Sequence, residues 1–366
     1  MIYLNKTFMK TLAIETSCDD TSLSIVEFDG KIKDSKLLLY SQIENHKKFW
    51  WVVPELASRL HEEKVVYLLE EIWINNIKNA DFISYTCCPG LPGSLLVWKT
   101  LANTLSLFLN KKKVGVNHIS WHIFSFFLER NLDEIKLPLL VLTVSGWHNE
   151  IYFLSNDNKI NTDIIEYTNY LAQTYSLSQE DLIKKIWKFI LIKIWFTLDD
   201  AAWEAFDKVS KMLQWPYPWW KRIYDKAKTC KKKNLEFSFP RVWLKKNEFN
   251  FSFSWLKAQV NYKIKELVEK HWELSEELKA QIAYEFQEAV VETLWKKLLK
   301  TAKYFSVSNI AIVWWVSANL RLREFIKENM ENFNVKNFYT PTKLIYSTDN
   351  AAMIWAVGLI KELNLW

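Results

Sequence analysis

Two histidines four residues apart, His118 and His122, give the sharpest chemical signal in this chain of 366 residues. On a helix that spacing puts both imidazoles on one face, where they can share one metal ion. Two histidines leave coordination positions open, and an aspartate is the usual third ligand. An HxxxH pair by itself is commonly incidental. Asp349, in Ser347-Thr348-Asp349-Asn350 ahead of a helical run, offers a carboxylate whose simplest local use is to cap that helix. Three strings after strand-like runs suit anions: Pro89-Gly90-Leu91-Pro92-Gly93-Ser94, Ser145-Gly146-Trp147-His148 and Trp314-Trp315-Val316-Ser317-Ala318-Asn319. Backbone N–H groups at such turns and helix starts receive phosphate. Asp199, Asp200 and Asp207 are expected on one helix, either as a solvated face or reaching a nucleotide. No Ser/His/Asp or Cys/His nucleophile arrangement stands out, so no catalytic side chain is assigned.

The elements that must carry these groups follow from hydrophobic period. Residues 11–29 alternate and read as a β-hairpin whose turn, Glu15 to Asp20, is rich in hydroxyls and carboxylates. Residues 54–77 have helical spacing, 81–86 a strand, 94–110 a helix and 114–116 a strand. Strands are expected at 139–144 and 151–154, a helix at 198–214 opened by Asp199-Asp200, and a long amphipathic helix at 276–303. A strand at 310–313 and helices at 319–329 and 351–363 complete the pattern, while 157–196 gives no firm assignment. Strands alternating with helices, with ligand-like turns after strand ends, predict an α/β protein in two lobes with a cleft between them.

Apolar residues are 49% and charged residues 25% of the chain, as in a globular protein. No apolar run reaches the roughly 18–20 residues of a membrane span, and the polar start does not read as a signal peptide. Cys18, Cys87, Cys88 and Cys230 show no CxxC spacing and read as reduced thiols of a cytoplasmic protein. The net charge of +6 permits contact with RNA. The triplets Lys111-Lys112-Lys113 and Lys231-Lys232-Lys233 read as solvated loops.

The composition has one anomaly. The chain holds 20 tryptophans and 6 glycines. At ordinary usage of about 7% a chain of this length carries about 26 glycines, which the two counts together match. Tandem tryptophans at Trp50-Trp51, Trp219-Trp220 and Trp314-Trp315 stand in turn-like contexts. Glycine suits such places because it reaches positive φ at little cost and lets backbone approach a ligand. A gene in which UGA encodes glycine, translated with UGA as tryptophan, gives this pattern. The competing expectation is a Trp-rich chain that uses indoles as core or stacking platforms.

With tryptophan read as glycine, ten ordered strings between about residues 11 and 360 resemble the TsaD (Gcp) family. Leu12 to Asp19 resembles IETSCDE, Trp50 to Arg59 GGVVPELASR, and Pro89 to Trp98 PGLPGSLLVG. Asn117 to His122 is similar to NHxxGH, Val144 to His148 to VSGGH, and Thr197 to Lys208 to TLDDAAGEAFDK. Pro216 to Trp220 resembles PYPGG, Phe251 to Lys257 FSFSGLK, Trp314 to Asn319 GGVSAN, and Thr348 to Ile354 TDNAAMI. Family glycines fall on Trp50, Trp51, Trp98, Trp121, Trp147, Trp195, Trp203, Trp215, Trp219, Trp220, Trp255, Trp314, Trp315 and Trp355. Trp73, Trp187, Trp243, Trp272, Trp295 and Trp366 lie outside the aligned strings. The chain departs from the pattern at Asn149 (usually Thr), at Cys87-Cys88 (usually a small pair) and over 155–195.

The resemblance implies an actin-like (ASKHA) two-lobed fold, each lobe a mixed sheet flanked by helices. It implies lobe I at 10–119 plus 340–366, lobe II at 120–339, and an N-terminal extension at 1–9. It implies a tRNA N6-adenosine threonylcarbamoyltransferase, an acyltransferase of the bacterial branch. The group passes from threonylcarbamoyl-adenylate to N6 of the adenosine 3′ of the anticodon, in tRNAs reading codons that start with A. His118, His122 and Asp349 match the metal ligands, which hold one divalent ion, Fe2+ (iron) first and zinc second. Thr143, Val144, Ser145, Gly146, Trp147, Asp207, Trp220 and Asn319 match the adenylate-binding positions. The implied partners are tRNA, a paralogous TsaB-like subunit and a small P-loop ATPase resembling TsaE, with no membrane. An inactive paralogue acting as an assembly partner is the alternative, which the intact ligand set opposes. A third reading, a metalloprotease, rests on the HxxxH, but Ile119 stands where HExxH has its glutamate, and peptide hydrolysis would discriminate it.

Overall fold

The computed structural model describes residues 8–49, 51–72, 74–144, 148–156, 160, 162–186, 189–216, 219–231, 237–241 and 250–363. The chain divides into two compact units. One comprises Met1–Lys136, Ile186–Lys188 and Thr340–Trp366, the other Leu137–Lys185 and Phe189–Tyr339.

The first unit is built on the expected hairpin. β1 (Met9–Glu15) and β2 (Asp20–Phe28) pair antiparallel from Met9↔Phe28 to Glu15↔Ser22. β3 (Ile32–Ser41) adds to β2, and β4 (Phe82–Cys88) and β5 (Lys112–Asn117) add in parallel on the other side, in the order β3-β2-β1-β4-β5. β1 is the middle strand, and its run Leu12-Ala13-Ile14 is wholly buried because helices cover both faces of the sheet. On one face lie α1 (Pro54–Ile72) and α2 (Pro92–Leu109). Val65, Leu68 and Ile72 of α1, spaced to share one side of the helix, meet Leu12, Ile14, Leu23, Ile25 and Ile83 of the strands. A last helix, Ala351–Leu363, packs against β1, β2 and β4. Gly358 permits this close approach, since a Cβ there would lie 3.2 Å from Ser84 Cβ and 3.4 Å from the Phe82 ring. β5 leads straight into the short helix α3 (His118–Ile123).

The second unit holds β6 (Leu139–Val144), β7 (Asn149–Asn156), α4 (Thr162–Tyr175), β8 (Ile183–Ile186, all but its last residue) and β9 (Phe189–Trp195). Then follow α5 (Ala202–Met212), α6 (Trp219–Thr229), α7 (Ser254–His271) and the buried α8 (Glu276–Tyr304). β10 (Asn309–Val313), α9 (Leu320–Asn329) and β11 (Asn337–Tyr339) complete it. The sheet order is β11-β10-β6-β7-β9-β8, with β10 parallel to β6 and β7 antiparallel to it. Both sheets are mixed and flanked by helices, as expected. The stretch without a firm assignment contains α4, β8 and β9. Ile164, Thr168 and Leu171 share the buried side of α4, whereas Leu191 and Ile192 of β9 are both buried, which hides the strand's alternation.

One expectation is corrected. The helix expected from 198 starts at Ala202, so Asp199 and Asp200 precede it and do not share a helix with Asp207. Their carboxylates are committed elsewhere. Asp199 accepts from the N–H of Phe253 (3.0 Å) and from the Ser252 hydroxyl, while Asp200 pairs with Lys208 (2.8 Å) and Lys257. The two aspartates thus fasten the start of α7 beside the start of α5. Among the described residues no helix is long and apolar enough to cross a membrane.

α7 ends at Trp272, which has φ 64° and donates its N–H to the Val268 carbonyl at 2.7 Å. Its side chain is 93% exposed, so it returns almost no packing energy for a left-handed backbone. That conformation costs a non-glycine residue roughly 1–2 kcal/mol, and glycine is the usual residue there. Trp272→Gly is therefore expected to stabilise the protein by about 1 kcal/mol in urea unfolding. An unchanged or lower midpoint would contradict the assignment of strain.

Candidate functional site

The site in the first unit forms where β5 becomes α3. Asn117 caps the helix, its Oδ1 accepting the Ser120 N–H at 3.2 Å. His118 and His122 are both buried on α3, with ring centroids 4.9 Å apart. Asp349 closes the group from the turn before the last helix, where His122 Nε2 lies 3.1 Å from its Oδ1. Local capping falls to Asn350, whose side chain accepts the Ala352 N–H at 3.1 Å. The carboxylate of Asp349 is thereby kept for the histidine. One ligand atom from each of His118, His122 and Asp349 lies within 4.8 Å of the other two.

A polar shell from the hairpin turn holds this group. Ser17 Oγ lies 2.8 Å from His118 Nδ1, and the Ser17 hydroxyl donates to Glu15. Ser17 Oγ then accepts from Nδ1–H, which places the imidazole lone pair on Nε2. The Glu15 carboxylate also accepts the Ser17 N–H at 2.7 Å and the Thr86 hydroxyl. Burial pushes the Glu15 carboxyl up to about 7, helped by the charge of Asp349. Burial also raises Asp349, against the opposing pull of His118. Asp19 and Asp20 are raised by burial and by neighbouring carboxylates. His118 is driven down to about 3 and His122 well below its usual range, both by burial. Asp20 Oδ1 has no hydrogen-bond partner among the described residues. Neutral imidazoles beside crowded carboxylates suit a divalent cation, which needs uncharged nitrogens and relieves the repulsion among the acids. A mixed imidazole–carboxylate set fits zinc or iron better than the all-oxygen sites of calcium and magnesium.

A model of the tRNA N6-adenosine threonylcarbamoyltransferase family, TsaD, matches residues 36–173 and 191–356. The chain belongs to this family. Relatives bearing the family's name include one from Kosmotoga olearia, 37% identical over 96% of this chain and 93% of its own. One from Thermosipho africanus is 38% identical over 96% and 93%, and one from Bacillus subtilis 34% identical over 96% and 90%. Among solved structures, HypF of T. kodakarensis superposes with a TM-score of 0.54 at 16% identity, over 97% of this chain and 48% of HypF. That likeness concerns the fold alone and agrees with the expected actin-like architecture. The expected family and its class, a transferase, are borne out.

The remaining family positions fall in the second unit. Thr143 and Val144 end β6, and Thr143 sits beside Val313 of the parallel β10. The chain therefore leaves two adjacent parallel strands at their carboxyl ends, where α/β sheets bind ligands. After β10, Trp314 has φ 70° and its carbonyl accepts the Ser317 N–H at 2.9 Å. Asn319 caps α9, accepting the Leu322 N–H at 3.1 Å. Asp207 lies on α5, and Trp220 in the first turn of α6. Ser145, Gly146 and Trp147 lie outside the described residues. Glu15, Ser17 and Thr86 escaped assignment from sequence. The hairpin turn was visibly rich in hydroxyls and carboxylates, but nothing local links Ser17 to a histidine 101 positions away.

His61 of α1 supports the same turn. Its Nε2–H donates to the Cys18 carbonyl (3.1 Å), and its Nδ1 accepts from the Thr21 hydroxyl (2.8 Å) and the Gln42 amide (3.2 Å). All three bonds suit the neutral ring, and burial lowers the imidazole from 6.5 to about 4. Below pH 6.5 the unfolded chain binds a proton that the folded chain refuses, so the His61 contribution is complete above pH 6.5 and is lost as pH falls toward 4. The stability difference between the wild type and His61→Gln should thus shrink between pH 7 and about pH 4, by up to about 3 kcal/mol. A difference independent of pH would show that His61 is not held neutral.

Proposed function

We propose that this protein transfers the threonylcarbamoyl group from threonylcarbamoyl-adenylate to N6 of the adenosine 3′ of the anticodon, in tRNAs reading codons that start with A. The observation that carries this reading is the convergence of His118, His122 and Asp349 in a chain of this family. The donor is a mixed carbamic–phosphoric anhydride, already activated. N6 attacks the carbamoyl carbon, the bond from that carbon to the phosphate oxygen breaks, AMP departs and N6 releases one proton. The protein's task is then to orient the two reactants and stabilise the departing charge.

His118, His122 and Asp349 hold the divalent ion in this reading, Fe2+ in preference to zinc. The ion would supply Lewis-acid chemistry to the transfer. Thr143, Val144, Ser145, Gly146, Trp147, Asp207, Trp220 and Asn319 bind the adenylate, with backbone N–H groups of the 145–147 turn taking its phosphate. The net charge of +6 favours the tRNA polyanion. A paralogous TsaB-like subunit and a TsaE-like P-loop ATPase complete the assembly in the cytoplasm. Val66 and Tyr67 on α1 and Leu96, Leu107 and Phe108 on α2 are exposed on two helices that pack together, and they suit the paralogous subunit.

The test supplies the protein and its partners with threonylcarbamoyl-adenylate and unmodified tRNA. Modified nucleoside is expected, together with one divalent ion per chain by elemental analysis. The His118→Ala/His122→Ala variant should lose both. An intact protein that binds its partners but never supports transfer would favour the inactive-paralogue reading. Full metal content in the double variant would remove the metal assignment.

The same reading includes the coding of the tryptophans. Trp272 and Trp314 have φ of 64° and 70°, a region that favours glycine. The indole N–H groups of Trp98, Trp121, Trp215 and Trp355 are buried without a hydrogen-bond partner among the described residues. Buried tryptophans normally find one, and an unsatisfied donor costs about 1–3 kcal/mol. These positions accept an indole poorly, as glycine positions would. Tryptic peptides of the natively produced protein are expected to have glycine mass at the positions aligned with family glycines, and at Trp272. Tryptophan mass at Trp314 and Trp315, or UGG codons there, would defeat the recoding and withdraw Trp147 and Trp220 from the adenylate site.

A further inference from the structure

The adjacent cysteines that replace a small pair of the family, Cys87 and Cys88, are exposed and in no disulfide. Neighbouring side chains of a regular strand point to opposite faces and cannot meet. Here the pairing of β4 with β5 shifts register between Thr86 and Cys88, so Cys87 is the extra residue of a bulge. The two Sγ atoms lie 3.5 Å apart as a result. Gly115 on β5 makes room for this turn of the chain, since a Cβ there would lie 3.2 Å from Cys87 Cβ and 3.5 Å from its Sγ.

That spacing matches chelation better than an S–S bond. Two sulfurs at about 2.3 Å from a tetrahedral ion lie about 3.8 Å apart, close to the 3.5 Å found. A relaxed disulfide spans about 4.4–6.8 Å between Cα atoms, whereas neighbours on a trans peptide are only about 3.8 Å apart. We propose that Cys87 and Cys88 form a bidentate dithiolate site for a soft, thiophilic divalent cation, linked through Asn117 to the helix that carries His118 and His122. Binding releases the two thiol protons, and water completes the coordination of the exposed ion. Soft thiolate donors select such ions over magnesium or calcium.

The link is structural. Asn117 Nδ2 donates to Cys88 Sγ at 3.7 Å, while its Oδ1 caps α3 through the Ser120 N–H at 3.2 Å. An ion on Cys88 converts the thiol to a metal-bound thiolate, which keeps lone pairs for this amide and is a stronger acceptor than the thiol. The amide is then held more tightly, and the cap of the helix bearing the two histidines is held with it. The thiol site does not depend on the proposed transfer reaction, whereas its effect on the histidine centre does rest on that centre binding metal.

The test uses the full-length chain with Cd2+ as the probe, read by the ultraviolet thiolate-to-metal absorption. In the His118→Ala/His122→Ala background, one equivalent of Cd2+ should still produce that absorption. Cys87→Ser and Cys88→Ser should each weaken it at least tenfold in Cd2+ concentration, and Cys18→Ser should leave it unchanged. Absorption that survives in Cys87→Ser/Cys88→Ser, or none in the histidine background, overturns the site. Conversion of the pair to an internal disulfide by glutathione disulfide, with no Cd2+ uptake by the reduced protein, overturns it in favour of a redox pair. The link to α3 is read separately with the histidines intact, as the retained metal of the wild type against Asn117→Asp. Equal Cd2+ absorption with equal histidine-site metal in both proteins overturns the link and leaves the site.

Discussion

Two imidazoles buried side by side on one short helix can stay there only as neutral rings, and that constraint organises the first unit. Burial drives His118 and His122 toward the uncharged form, while it raises the carboxyls of Glu15, Asp19, Asp20 and Asp349. Such a cluster is expensive unless each group is bonded or a cation joins it. The surrounding fold supplies the bonds. The hairpin turn between β1 and β2 brings Ser17 and Glu15, the end of β4 brings Thr86, and the turn before the last helix brings Asp349. Three separate chain segments thus converge on one helical turn. The central place of β1 in the sheet lets them do so, because β1 lies between β2 and β4 and under the last helix.

What was legible in the sequence tracks how local each cause is. The hairpin, the long helices and the strands at Leu139–Val144 and Asn309–Val313 announce themselves by period and turn chemistry. The His118/His122 pair is legible because both imidazoles sit on one turn of helix. Asp349 as their partner is not a local fact. Its sequence context supports a helix cap equally well, and only the structure shows Asn350 taking that role. Asp199 and Asp200 misled for the same reason. Acidic residues before a helical run look like a helix opening, yet here they bond with Ser252, Phe253 and Lys257, more than fifty positions away. β9 was hidden differently, since burial on both faces removes the alternation from which a strand is read. Glu15 and Ser17 belong to a turn whose composition was suggestive but whose target lies 101 positions away.

The tryptophans bring the same lesson to the level of the backbone. An indole at an exposed left-handed position such as Trp272 gains no packing to offset its strain. A buried indole whose N–H has no acceptor forfeits a hydrogen bond it had in water. Trp121 adds a third kind of mismatch, since its ring centroid lies 4.5 Å from that of His118 and 3.8 Å from that of His122. A large apolar plane against both imidazoles limits the directions from which another group can approach them. A glycine there, as the proposed recoding would give, would leave that side of the imidazoles open.

Packing of the last helix ties residue size to the neighbourhood of Asp349. Gly358 already lets that helix approach Phe82 and Ser84 of β4 as closely as its neighbours allow. Trp355, three residues earlier and therefore on nearly the same face, is fully buried, its ring 6.5 Å from that of Phe28 on β2. With glycine at both positions the helix would present a smooth stripe to the sheet, and its backbone could settle closer to β2. Asp349 stands two residues before this helix, so its carboxylate moves with the helix start. The size of residue 355 thus bears on how closely the start of this helix, and with it the turn that holds Asp349, approaches the sheet.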